Sequence, residues 1–302
     1  STIPYSAWAK LGQDIDGEAA GDESGHSVSL SADGQTVAIG AKFNDDNGVG
    51  SGSVRIYTYD GTTWSKLGED IDGEAAYDQS GTSVSLSADG RTIAIGAINN
   101  DGNGADSGHV RIYQYDATKN SAQTNPDLAN FGPIGWNRLG SDIDGEAVDD
   151  NSGISVSLSA DGQTVAIGAT FNDGTTGSAT DNRGRVRIFT YNGTDWSQLG
   201  LNIDGERGND QSGTSVSLSA DGRTIAIGSP YNYGNNFATN SGQVCIYSYS
   251  GSAWSQLGSD IDGETAADLS GYSVSLSADG RTVAIGAYGN DESGNDSGHV
   301  RI

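Results

Sequence analysis

The 302-residue chain is acidic: 40 Asp and Glu face 15 Lys and Arg, a formal charge of −25, which speaks against nucleic acid and anionic membrane surfaces as partners. Its 46 glycines, 4 prolines and lack of methionine suit many short strands joined by tight turns, and no stretch is apolar for long enough to insert in a membrane as a helix. A single cysteine, Cys245, leaves no internal disulfide to form, and a chain of this length can bury about 75% of its unfolded surface as one large domain.

Ser1 opens the chain without a basic, apolar leader, so a mature or leaderless chain is expected. Residues 1–8 look like the end of a repeat unit. Trp8 then starts a pattern that returns at Trp64, Trp136, Trp196 and Trp254. Each unit reads as an outer strand (WxxLGxxI), an acidic connector (DGEAAxDxSG) and a strand SVSL. A turn SADG, a second strand TVAIGA, a loop and a third strand SVRIYTY follow.

The centre of the unit is SGHSVSLSADGQTVAIGA at 24–41, repeated at 80–97, 152–169, 212–229 and 270–287. Val28 and Leu30 alternate with Ser27, Ser29 and Ser31, and Val37 and Ile39 with Thr36, Ala38 and Gly40. That is the period of strands, and Asp33-Gly34 between them is hairpin-turn chemistry. Each hairpin therefore has a bulky aliphatic face and a face of Ser, Ala and Gly. Sheets of this kind stack bulky face on small face, as propeller blades do.

The expected fold is all-β: a single five-bladed β-propeller domain over 1–302, with four antiparallel strands per blade. The repeats run approximately 16–64, 72–136, 144–196, 204–254 and 262–302, the last completed by residues 1–15. That N-terminal strand is expected to close the ring and leave no free sheet edge. A segment of a longer array is the competing expectation. Unit two carries an insertion, DATKNSAQTNPDLANFGPIG, between Tyr115 and Trp136. It is either a tolerated surface loop or the place where asymmetric recognition enters.

Ser24-Gly25-His26-Ser27-Val28, Ile39-Gly40-Ala41 and Gly52-Ser53-Val54-Arg55-Ile56-Tyr57 resemble the FG-GAP repeats of integrin α-subunit propellers and their microbial relatives. The resemblance recurs five times and implies an extracellular, secreted or surface-displayed module for adhesion or ligand recognition. Two departures matter. Such propellers usually have seven blades. The family's calcium loop lies in the first hairpin, where only Asp33 and Gly34 remain, so that site does not carry over.

Up-and-down topology brings the connectors and the loops between second and third strands to one end of the ring. Asp16, Glu18 and Asp22 with Asn44 and Asp45 meet there in unit one, and Asp72, Glu74 and Asp78 with Asn100 and Asp101 in unit two. The later sets are Asp144, Glu146 and Asp150 with Asn172 and Asp173, and Asp262, Glu264 and Asp268 with Asn290 and Asp291. Hard oxygen donors in Gly-rich loops suit calcium, and these residues are its expected ligands. The alternative is that they bond backbone amides at turns. Unit four, with Asp204, Glu206 and Asp210 but Asn232-Tyr233 in the loop, is the weakest candidate.

Arg55, Arg111, Arg187 and Arg301 recur in the third strand where unit four has Cys245; a carboxylate partner in the connector is expected for each. The SVSL strands are the same in every unit, so the axis offers no acid–base pair. No enzyme, and in particular no glycoside hydrolase, is expected. Phe43, Phe171, Tyr231 and Tyr288 near the loops fit a multivalent lectin with one shallow sugar site per blade, the alternative to a calcium-stabilised adhesion or structural module. The expected partner is a protein or glycan on a cell surface or matrix, the chain working alone or within a larger multidomain protein or assembly.

Overall fold

The alternating segments form the strands their period predicts. A computed structural model describes residues 8–125, 131–175, 180–234 and 239–302, and the described residues hold strands and turns without a helix. In the first blade, β1 (Ser27–Leu30), β2 (Thr36–Ala41) and β3 (Ser53–Tyr59) pair antiparallel in that order. The outer strand differs from expectation. It is two short pieces, β4 (Trp64–Lys66) and β5 (Ile71–Asp72), both paired with β3. Gly68, at φ 74°, breaks it between them, a conformation that residues with a Cβ resist.

The other units repeat this plan, and five antiparallel sheets follow one another in a ring as a five-bladed β-propeller. Their SVSL strands lie next to one another around the inside. Each blade lays the bulky face of its hairpin on the small face of the one before. Val84, Leu86, Ile93 and Ile95 of blade two bury Ala38, Val54, Ile56 and Ile71 of blade one. The same arrangement recurs between blades two and three, three and four, and four and five. Fully burying one such aliphatic side chain is worth roughly 1.5–3 kcal/mol, so these junctions are the core.

The small face is small because backbones touch there. A Cβ on Gly40 would lie 2.1 Å from Gly81 O of the next blade. The serines are stitches rather than lining: Ser27 Oγ donates to Gly81 O at 2.7 Å and Ser29 Oγ accepts from Leu86 N at 2.9 Å. Ala32 N adds a bond to Ala88 O at 2.9 Å. On the outside, the Trp64, Trp136, Trp196 and Trp254 indole N–H groups donate to Leu11, Leu67, Leu139 and Leu199 O. The tryptophans are staples, as their place at strand starts suggests.

The N-terminal strand expected to complete the fifth blade falls in part outside the described residues. Residues 1–7 lie outside the described residues, and residues 8–15 make no strand. Leu11 O takes the Trp64 indole at 2.9 Å, and Gln13 Nε2 donates to Trp64 O at 3.1 Å. The tryptophan staple thus binds this segment to blade one, as Leu67 is bound to Trp136 of blade two. The last sheet keeps three strands, Ser273–Leu276, Val283–Ala287 and His299–Arg301.

Candidate functional site

Connector and loop do converge at one end, and hydrogen bonds show how. Asp22 takes Ala19 N at 3.0 Å and Asn44 Nδ2 at 3.4 Å. Asp78 likewise takes Ala75 N and Asn100 Nδ2, both at 3.0 Å. Asp150 takes Glu146 N, Ala147 N and Asn172 Nδ2, and Asp268 takes Glu264 N and Thr265 N. Asp210 and Asn232 make the same clip at 2.8 Å, so unit four keeps a device its Asn-Tyr loop hides. All of these side chains are buried. Burial pushes the Asp150 and Asp210 carboxyls up despite those bonds.

Asp45, Asp101 and Asp291 accept the amides of Gly50, Asp106 and Asp296 across their own loops, and Asp173 those of Asp181 and Asn182. Most of the loop and connector aspartates are therefore engaged with backbone. Asp16, Asp72, Asp144 and Asp262 offer their main-chain carbonyls to Arg55, Arg111, Arg187 and Arg301. Each arginine also reaches a serine, Ser24, Ser80, Ser152 or Ser270. The carboxylates expected as their partners stand farther off: Glu18, Glu74 and Glu264 at 3.7–3.9 Å.

A second set groups the connector glutamate with acids or a histidine from the loop before the third strand, the start of that strand or the outer strand. In blade one Glu18, Asp46 and Asp70 bring carboxylate oxygens within 4.8 Å of one another. In blade two the set is Glu74, His109 and Asp142, and in blade five Glu264, Glu292 and His299. Asp46, Asp70, Asp142 and Glu292 were not among the expected ligands, and neither were the two histidines, which lie in different units and form no repeated set. For Asp70 and Asp142 the signal was an acidic residue two before the connector aspartate (Asp70 before Asp72, Asp142 before Asp144).

Charge in these sets is crowded. Burial raises the Glu18 carboxyl, and Asp70 and Asp46 raise it further while Arg55 opposes them. Burial likewise raises Glu74, with Arg111 opposing and Asp142 adding to the rise. His109 is held well below its ordinary value by burial, then by Arg111 and Arg138, so its imidazole is neutral.

Blade three fills the same place with its own cation. Arg185 starts the third strand where Ser53 and His109 stand elsewhere. Its Nη1 donates to Glu146 Oε2 at 2.6 Å and its Nε to Asp204 Oδ1 at 2.6 Å. Asn202 replaces the outer-strand aspartate there. Blade four has Gln243 and Cys245 instead. Burial foremost pushes the thiol up to about 12, which makes it an inert core group.

The unit-two insertion is an ordered flap where described: Gln123 and Gly132 exchange backbone bonds at 2.9 Å. It packs beside Trp136 and, with the 70–74 connector, borders an open groove of about 400 Å³ lined by Asp70, Asp72, Arg111, Tyr113 and Phe131. Related grooves lie at the next junctions, at Asp142, Asp144, Phe189 and Trp196 and at Asn202, Asp204, Tyr247 and Trp254.

Residues 14–57 and 71–113 match the model of the FG-GAP repeat. These two segments are FG-GAP repeats. In the first, Asp33 Oδ1 takes Ser31 Oγ at 2.6 Å and Gln35 N at 2.9 Å, a closed turn where the resemblance places a calcium loop in the family. None of the curated proteins matches the chain. Among solved structures it is similar to hydrazine synthase of Kuenenia stuttgartiensis, at 16% identity and a TM-score of 0.51, covering 87% of this chain and 61% of that one. It also matches a candidate 6-phosphogluconolactonase of Bacteroides uniformis, at 15% identity and a TM-score of 0.49, covering 90% of this chain and 69% of that one. At such identities the likeness concerns the fold alone.

Proposed function

We propose that the FG-GAP propeller is a non-enzymatic, extracellular binding module, calcium-stabilised at its acidic end, whose partner is a protein or glycan. One observation carries the cation: Arg185 sits between Glu146 and Asp204 at 2.6 Å from each. The place calls for positive charge, and one blade supplies it from its own chain. Blade one does not. Its Glu18, Asp46 and Asp70 offer only carboxylate oxygens, the donor type calcium takes, with carbonyls and waters to complete six to eight ligands. The histidines of blades two and five suit borderline metals better. This narrows the expected calcium from four units to one.

Bound there, calcium would neutralise the charge crowded around Glu18. The chain's part is to hold the carboxylates: the Lys66 ammonium orients Asp70 at 2.6 Å, and the Asn44–Asp22 clip anchors the loop that carries Asp46. The absence of an enzyme is read from the SVSL strands, whose serines are spent on interblade bonds.

The test is a thermal melt in EGTA, then with excess Ca²⁺, with Mg²⁺ as control. A Ca²⁺-specific rise is expected, about 2.7 kcal/mol at a hundredfold excess over Kd, and it should vanish in Asp70→Asn. No rise, or one that Asp70→Asn keeps, overturns the site.

The junction grooves favour a second reading, the multivalent lectin. Each pairs acid or amide groups with an aromatic wall, the usual makings of a sugar site, and repetition would add avidity. Of the loop aromatics expected for that role, Phe43, Phe171 and Tyr288 are exposed, but Tyr288 packs edge-on against Tyr272 at 4.7 Å. A glycan array probed with fluorescent protein decides this reading independently of calcium.

A further inference from the structure

We propose that Glu74, His109 and Asp142 of blade two bind a borderline divalent cation, zinc foremost, at a site distinct from the calcium site of blade one. The three come from separate segments: the connector, the start of the third strand His109–Tyr115, and the residue just before the outer piece Ile143–Asp144. A ring nitrogen of His109 and one oxygen of each carboxylate all lie within 4.8 Å of one another. Zinc takes such donors at about 2.0–2.2 Å, so small movements would close the three on one ion.

The imidazole itself points to a ligand. His109 is 1% exposed, and its Nε2 is buried with no hydrogen-bond partner among the described residues. Its Nδ1 stops 3.9 Å from Glu74 Oε2, beyond hydrogen-bond reach. A buried polar group left bare costs stability, and ligation of a metal lifts that cost for an imidazole beside two carboxylates. Blade three shows what the place demands. There the first residue of the third strand is Arg185, whose guanidinium reaches the connector glutamate Glu146 at 2.6 Å. The shorter imidazole cannot span that gap, and a cation between it and Glu74 would.

The surroundings select the class of metal. Arg111 Nη1 stands 3.7 Å from Glu74 Oε1, and Arg138 Nη1 donates to Asp142 Oδ1 at 2.9 Å. Both arginines steady a carboxylate, and each carboxylate keeps a second oxygen. They also balance the two negative charges, which weakens the hold on calcium, a hard ion bound through oxygen and charge. The imidazole nitrogen supplies what is left, and it favours zinc and its neighbours over calcium. Glu74 keeps 34% of its side chain exposed, a route in for the ion. Three protein ligands leave a fourth position to water.

The chain, stripped with EDTA and then freed of it, should bind an equivalent of Zn²⁺ with micromolar Kd or tighter in millimolar Ca²⁺, read by competition with a chromogenic zinc chelator. His109→Gln and Asp142→Asn should each weaken that equivalent at least ~10-fold. Glutamine suits the place, since Gln243 starts the third strand of blade four. His299→Gln, at the start of the third strand of blade five, should leave the equivalent unchanged. Nuclear magnetic resonance on the unmodified chain gives a readout without mutation: the His109 imidazole nitrogen signals should shift on adding Zn²⁺ and stay in place on adding Ca²⁺. Zinc binding weaker than micromolar overturns the proposal, and so do unmoved His109 signals. Affinity that survives His109→Gln or Asp142→Asn, or that vanishes in His299→Gln, overturns it as well.

Discussion

Arg185 and Asp204 form a two-pronged contact, Nε to Oδ1 at 2.6 Å and Nη2 to Oδ2 at 3.1 Å, while the third edge of the guanidinium holds Glu146. It ties the first residue of a third strand to the end of the outer strand beside it, and both to the connector from the blade before. Arg185→Ala should cost ~2–3 kcal/mol, below the range for fully buried pairs because Glu146 keeps contact with solvent. Urea unfolding measures it. A loss under 0.5 kcal/mol would make the contact ornamental.

The clips between connector and loop hold backbone amides and a neighbouring amide side chain. Asp78→Ala removes bonds from Ala75 N and Asn100 Nδ2 and leaves a buried amide unpaired, so ~2–3 kcal/mol of stability should go. A double-mutant cycle with Asn100→Ala should show coupling of about 1 kcal/mol or more. A response of the calcium melt to Asp78→Ala, beyond this loss, would return the clip to the metal site.

Backbone contact at the junctions predicts a contrast between equivalent glycines. A Cβ on Gly96 would meet Gly153 O at 2.0 Å, whereas on Gly286 its only near contact is the movable Ser273 hydroxyl at 2.4 Å. Gly96→Ala should cost at least ~1–3 kcal/mol. Gly286→Ala should cost less. Equal losses would mean that the small face is not set by the neighbouring blade.

His109 makes stability depend on pH. Its imidazole is neutral in the fold, because burial, Arg111 and Arg138 hold it well below 6.5, and Glu74 at 3.9 Å does not restore the proton. A folded value below the unfolded one gives stability that is complete above pH 6.5 and declines as pH falls below it. The melting temperature of the native chain should therefore drop between pH 6.5 and 5 more steeply than that of His109→Gln. Parallel curves would show that the group does not contribute.

The alternation in SVSL and TVAIGA was enough to read the hairpins, their two unlike faces and their stacking, because strand period and side-chain size are local properties. Trp136 and its counterparts could be read as staples from their place at strand starts. The break at Gly68 could not, since a glycine in a strand pattern leaves its backbone angle open. Nor could the split among the carboxylates. Asp22 and Glu18 look alike in the sequence, and only the fold puts one on backbone amides and the other beside Asp70.

By itself, then, the sequence determined the repeat, the blade and the way one blade stacks on the next. The tertiary structure decided which acids bond backbone amides and which stand among other carboxylates, and that residues 8–15 lie against Trp64. The difference is physical. Stacking follows from the size and period of neighbouring residues, whereas charge environment and strand exchange depend on groups some fifty residues away that only folding brings together.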